Sequence, residues 1–191
     1  MGRSWQGQVM DGRRVNPWRI AGWGLALALL ATPLVAMQFT DEVRWAPVDF
    51  AVAAVLIGAL GLGIEFAVRR STDPWYRLGG ALAALTAFLT IWVNVAVGFI
   101  GDEDNPANLL FAGVLLVALI GALAARFRSK GMAAAMAVTA AAQLLAAGAA
   151  HVLTGEVRPI EIVLTAAFAA PWLVSALMFR QAPAQEAAPG A

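Results

Sequence analysis

Six stretches of the chain stay apolar for about 20 residues at a time, the length at which an α-helix crosses the hydrocarbon core of a bilayer. They fall at roughly 18–37, 48–68, 79–100, 107–126, 132–151 and 160–179, about two thirds of the sequence. No stretch alternates apolar and polar positions for long enough to make a barrel strand. The pattern predicts an all-α, polytopic transmembrane bundle of six spans covering 18–180. A basic segment (1–17) precedes it, and an Ala-, Pro- and Gln-rich tail (181–191) reads as a disordered end. The fifth span is unusual, because Ala133 to Ala150 is nearly all alanine with Thr139 and Gln143 inside it. With so little bulk to offer lipid, it is expected near the middle of the bundle or against a partner.

Local chemistry marks the boundaries. Asp73-Pro74 and Asn105-Pro106 each place a capping side chain before a proline that suits the first helical position. Pro47 with Asp49, and Pro159, do the same for the second and sixth spans. Pro33 and Pro171 lie inside spans, where each removes one backbone hydrogen bond. Small residues four apart, among them Ala54/Gly58, Ala59/Gly63, Gly80/Ala84 and Ala133/Ala137/Ala141, predict close helix–helix approach.

Composition sharpens the class. The 191 residues are 61% hydrophobic and 13% charged, where soluble domains average about half and about 25%. Mean hydropathy is +0.74. A net charge of +1 offers no field for nucleic acid. Zero cysteines and one histidine, His151, remove thiolate chemistry, disulfides and multi-histidine metal sites. No cofactor is implied.

The near-neutral total conceals a strong asymmetry. With the N-terminus in the cytoplasm, Arg3, Arg13, Arg14, Arg19, Arg69, Arg70, Arg77, Arg126, Arg128, Lys130 and Arg180 fall on the inner side. Only Arg44 and Arg158 fall outside, eleven cations against two in short loops. Both termini are therefore expected in the cytoplasm. A basic start before an apolar run also describes a cleavable signal peptide. Here the run is about 20 residues, contains Pro33 and lacks a clear small-x-small site, so the first span reads as a retained helix.

Eight of the twelve acids lie on the outer side: Asp41, Glu42, Asp49, Asp102, Glu103, Asp104, Glu156 and Glu161. The densest run, Gly101 to Asn108, contains Asp102, Glu103, Asp104, Asn105 and Asn108, which could offer oxygens to a hard cation. It lacks the Asp-x-Asp-x-Asp-Gly pattern of a calcium loop, and negative charge at a helix start also serves the helix dipole. The segment from Met37 to Phe50, with Asp41, Glu42, Trp45 and Asp49, is expected along the outer interface, either anchoring a hairpin or holding a head-group. Within the spans Glu65 is the ionisable residue to explain, and Arg69 follows it at the spacing of a helical ion pair. Asn94 and Gln143 are the amides inside spans, where inter-helix hydrogen bonding is the default. His151 could meet Glu156 or Glu161. No nucleophile–base pair, phosphate loop or dinucleotide fingerprint is present.

The spans pair as three helical hairpins turning at acidic loops. Thr-x-Glu-Val-Arg occurs at 40–44 and again at 154–158, which raises an internal repeat, although four matched letters between alanine- and leucine-rich spans are thin support.

Met-Gln-Phe-Thr-Asp-Glu-Val-x-Trp-x-x-x-Asp-Phe (37–50), and Trp92-x-Asn94-x-Ala96-Val97-Gly98-x-Ile100-Gly101 leading to Glu103-Asp104-Asn105-Pro106-Ala107-Asn108, resemble an uncharacterised family of small multi-pass bacterial inner-membrane proteins. The similarity runs to the Ala125-Arg126-Phe127-Arg128 exit. It implies a bacterial inner-membrane protein whose outer loops are its most specific parts, and it implies no activity. The leading expectation is an accessory or scaffold protein working through outer-loop and helix-face contacts, with lipid around it and a membrane-protein partner or a second copy as its contact. A transporter with an acidic vestibule would need a wet path joining Asn94, Gln143 and Glu65. A lipid head-group enzyme would need several polar side chains converging beside an apolar groove.

Overall fold

A computed structural model describes residues 17–101, 104–155 and 158–183. All regular structure among the described residues is helical. The helices are α1 (Pro17–Ala36), α2 (Pro47–Arg70), α3 (Pro74–Ala96), α4 (Leu109–Ala124, entered through a 3₁₀ turn at Pro106–Asn108), α5 (Ser129–Thr154) and α6 (Pro159–Gln181). Each of the six, with the turn counted into α4, is long and apolar enough to cross a membrane. This is the six-span, all-α architecture of a multi-pass membrane protein.

The prolines and their preceding residues open the helices. Asp73 accepts a hydrogen bond from the Tyr76 amide at 2.9 Å, with Pro74 as the first helical residue. This starts α3 five residues before the hydropathy edge at 79, because capping chemistry and not apolarity sets a helix start. At its other end α3 stops at Ala96, before Gly98 with φ +73°. Hydrophobicity alone carried the span to 100. Asn105 accepts from the Ala107 amide at 2.9 Å and opens the 3₁₀ turn. Glu161 accepts from the Arg158 amide at 3.1 Å and opens α6.

The chain divides after Phe50 into two compact units. The first contains α1, the segment joining it to α2, and the start of α2. The second contains the rest of α2 and α3 to α6. In it α5 is the most buried helix and packs against both α4 and α6, while α3 packs against α6. Consecutive α3 and α4 share only a narrow contact. The hairpins α3–α4 and α5–α6 are therefore packed differently, one splayed and one closed.

Small residues make these contacts. A methyl group at Gly121 would lie 2.8 Å from the Ala135 Cβ, and one at Gly131 would lie 2.7 Å from the Ala125 Cβ, so α4 and α5 approach at two levels. A methyl group at Gly79 would lie 3.3 Å from Met178, Phe179 and the Ser175 carbonyl, and the Ser175 hydroxyl donates to the Gly79 carbonyl at 2.8 Å. On α2 and α3, Gly80 meets Ala67 and Gly63 meets Ala84. Gly63, Gly80 and Ala84, three of the small residues read from the sequence, thus meet where α2 and α3 approach.

The interior contains two apolar clusters. One gathers Tyr76, Met132, Met136, Trp172 and Phe179, and the other Phe99, Ile100, Phe111, Val114 and Ala150. Along α3 and α5, the fully buried Thr86, Thr90 and Gln143 come between them. The threonines return their hydroxyl protons to carbonyls one turn earlier, Thr86 to Leu82 at 2.7 Å and Thr90 to Thr86 at 2.8 Å.

The seams make a testable contrast. A Cβ at Gly80 would lie 2.5 Å from that of Ala67, whereas Gly58 has nothing within 4 Å. Gly80→Ala is expected to lose about 1–3 kcal/mol from overpacking, and Gly58→Ala to gain up to about 1 kcal/mol of helix propensity. Thermal unfolding of the two variants in one detergent should shift in opposite directions.

Candidate functional site

The splaying of α3 from α4 opens a groove of about 660 Å³ at the end of the second unit that carries the acidic loops. Ile91, Asn94 and Val95 of α3 line one wall. Leu109, Ala112 and Leu115 of α4 line the other, and Asp104, Asn105, Pro106 and Asn108 complete the rim. Four residues singled out from the sequence, Asn94, Asp104, Asn105 and Asn108, are thereby brought to one place. Val95 and Leu109 are 61% and 74% exposed, so the apolar side of the groove is open.

The rim is held from below by hydrogen bonds. Asn108 is buried, and its carbonyl oxygen accepts from the amides of Phe99 and Ile100 at 2.9 and 3.0 Å. Its side-chain nitrogen donates to the Ile100 carbonyl at 3.2 Å. The loop thus has its buried amides satisfied by one side chain. Glu161, only 5% exposed, clamps the loop to α6 by accepting from the Gly101 amide at 3.2 Å. The same carboxylate accepts from Arg158 Nε at 2.6 Å. Glu161 therefore pairs with Arg158, not with His151. Asn105 commits its carbonyl oxygen to the Ala107 amide, as described above.

Two groove residues keep acceptors unfilled. Asn94 donates to the Thr90 carbonyl at 2.9 Å, one turn back on its own helix, and its buried oxygen has no partner among the described residues. The carboxylate of Asp104 is exposed at the rim. Asp102 and Glu103 lie outside the described residues.

The other candidates sit elsewhere. Glu65 binds Arg69 within α2, near its end. Gln143 is fully buried with neither amide atom paired among the described residues, and neither it nor Glu65 lines the groove that contains Asn94. The default for membrane amides, bonding across to another helix, is not what either side chain does. Cross-element hydrogen bonds come instead from Ser175, from Tyr76 to the Phe127 carbonyl at 2.7 Å, and from Ser129 to the Pro183 carbonyl at 3.2 Å. In the first unit, Asp49 caps α2 by accepting from the Ala46 amide at 2.7 Å, and Trp45 meets Phe50 edge-on at 5.2 Å. Asp41 gives its backbone carbonyl to Arg44, and the Glu42 amide donates to the Thr40 hydroxyl, both at 3.1 Å. These bonds shape the segment and leave the Asp41 and Glu42 carboxylates out of it.

Compared with family models, curated proteins and solved structures, the chain matches none.

Two substitutions test that geometry. Asn108→Leu strands two buried amides and is expected to cost about 2–5 kcal/mol, with loss of hydrogen-exchange protection at Phe99 and Ile100 before the rest of the bundle. Gln143→Leu removes an unpaired buried amide and is expected to raise thermal stability, by about 1–3 kcal/mol. A large loss of stability in Gln143→Leu would show that this amide is engaged.

Proposed function

We propose that this chain is an integral protein of the bacterial inner membrane that acts by binding, as an accessory or scaffold protein, through its outward end. Its N- and C-terminal segments lie on the cytoplasmic side in this reading. The orientation follows from the eleven-to-two division of cations between alternate loops, and the resemblance to small bacterial membrane proteins agrees with it.

The observation that carries the binding reading is the convergence of Asn94 and Asp104 on one groove with an open apolar side and a pinned floor. A site that must recognise needs fixed polar groups beside apolar surface. Asn108 and Glu161 supply the fixing, and the exposed Asp104 carboxylate is left for a guest. Among the described residues, the groove's polar lining is one carboxylate and three amides. Such a set can hold and orient a molecule, but it contains no nucleophile with a base beside it. That favours binding over head-group chemistry. Helix faces such as Ala54/Gly58 on α2, where Gly58 has open space beside it, suit contact with a membrane-protein partner or a second copy.

Photocrosslinking in native membranes tests the reading. A diazirine side chain at Leu109, on the groove, is expected to trap a defined lipid or protein adduct in high yield. The same probe at Leu119, an exposed position of α4 (55%) away from the groove, should give only diffuse lipid labelling. Equal, diffuse labelling at both positions would count against an outer-end binding site.

A further inference from the structure

We propose that the opposite end of the second unit, where α2 and α6 stop and α3 and α5 start, binds the head-group of an anionic phospholipid, with phosphatidylglycerol as the probe. The site shares no residue with the groove and does not depend on what the groove holds.

Side-chain contacts gather several helix ends here. The Tyr76 hydroxyl on α3 donates to the Phe127 carbonyl in the α4–α5 turn at 2.7 Å. The Phe127 ring meets Phe66 of α2 edge-on at 4.7 Å, and the Tyr76 ring meets Phe179 of α6 at 5.1 Å. At the start of α5, the Ser129 hydroxyl reaches the Pro183 carbonyl beyond α6. Arg126 and Phe127 hold φ at +49° and +57°, a left-handed pair that non-glycine residues rarely adopt. In this turn Phe127 is half-buried, while its neighbours Arg126 and Arg128 stay exposed.

The segments so gathered carry Arg70, Arg77, Arg126, Arg128, Lys130 and Arg180. None of the six is ion-paired among the described residues; the cations that are paired are Arg69, with Glu65, and Arg158, with Glu161. Asp73, the acid of the α2–α3 turn, gives its carboxylate to the Tyr76 amide at 2.9 Å. Arg77 spends its Nε–H on the Ser71 carbonyl at 2.7 Å, which leaves its two terminal nitrogens for a guest. Most of the set is arginine, whose planar fork matches the oxygens of a phosphate. A basic loop is enough to orient a span. Three basic segments tied to one end face go further, and clustered cations at the ends of membrane helices are the pattern of anionic head-group recognition.

Depth selects a lipid over a soluble anion or an acidic protein segment. Arg70 is the last residue of α2, Lys130 the second of α5 and Arg180 the last but one of α6. These helices are long and apolar enough to cross a membrane, so cations at their ends lie at the level of lipid phosphates. Trp75, exposed at the start of α3, suits the same level. Charge then selects among lipids. Phosphatidylcholine and phosphatidylethanolamine bring a phosphate, but each adds a cation of its own to a cationic site. Phosphatidylglycerol brings the phosphate with hydroxyls instead. In the orientation proposed above, the leaflet concerned is the cytoplasmic one.

The experiment is lipid titration of the full chain in detergent by native mass spectrometry, with phosphatidylglycerol, phosphatidylethanolamine and phosphatidylcholine of one acyl composition. Inorganic phosphate is added as competitor. Phosphatidylglycerol is expected to bind about tenfold tighter than the other two. Arg70→Gln and Arg128→Gln, one on each turn and both at exposed positions, should each weaken it about fivefold. Arg44→Gln, in the first unit, should leave it unchanged. Tyr76→Phe removes no charge but unties the α4–α5 turn from α3, and is expected to weaken phosphatidylglycerol about as much as the loss of one cation. Thermal unfolding identifies any variant that has lost its fold, and the two arginine variants decide the matter if Tyr76→Phe is among them. Equal binding of the three lipids would overturn the proposal. So would equal weakening by Arg44→Gln, or unchanged binding in a folded Tyr76→Phe, since the cations would then act as a diffuse field and not as a site. Displacement by inorganic phosphate at matching affinity would overturn it too, because the site would then take a free anion and not a lipid.

Discussion

Close approach of helix backbones at small residues is the constraint on which the second unit depends. In hydrocarbon, burying a leucine between helices gains little over leaving it in lipid, so packing is decided by where backbones can come near and by the hydrogen bonds that approach permits. Gly79 lets α3 rest on α6, where Ser175 reaches its carbonyl. Gly121 and Gly131 let α4 rest on α5. With α5 and α6 packed together, α3 and α4 are held on different neighbours and cannot close on each other. The groove between them follows from those contacts, although no residue of the seams lines it.

Polar groups follow the same logic of scarcity. Water is absent from the membrane core, so hydrogen-bonding groups there must be satisfied within the protein. Thr86 and Thr90 do this by bonding their own helix one turn back. At the acidic end the α3–α4 loop leaves helical geometry, and Asn108 and Glu161 take up the amides it frees. These bonds fasten the two ends of the loop, and Asn94 and Asp104 line the same groove as the apolar walls. The residues that build the site and those that would touch a guest are therefore different. Asn108, which looked like a contact residue, belongs to the first group.

Much of the architecture was legible from local signals. The six spans, the Asp73-Pro74 and Asn105-Pro106 starts, the Glu65–Arg69 pair and the interior position of alanine-rich α5 each depend on residues within a few positions of one another. The candidate site was legible in part: Asn94 and Asp104 were named, but nothing in their spacing placed them on one groove. Sequence places Glu161 among the outer acids and within reach of His151, but its bond to Gly101 joins residues 60 positions apart and leaves no local signal. Tyr76 and Ser175 carried no signal, because an aromatic near a helix end and a serine in a span are common, and their partners are backbone carbonyls of other helices. Gln143 shows the opposite failure: chemistry predicted a partner across the bundle, and its burial supplies none.

The sequence by itself determined the number of spans, where helices start and how charge divides between alternate loops. These follow from hydropathy over about 20 residues, from capping chemistry and from counting. The tertiary structure alone decided which helices are neighbours. Apolar spans of this kind are interchangeable in lipid, and the seams that sort them involve single glycines meeting residues up to 100 positions away. That sorting sends α3 to α6 and α4 to α5, and so turns two scattered polar residues into one groove.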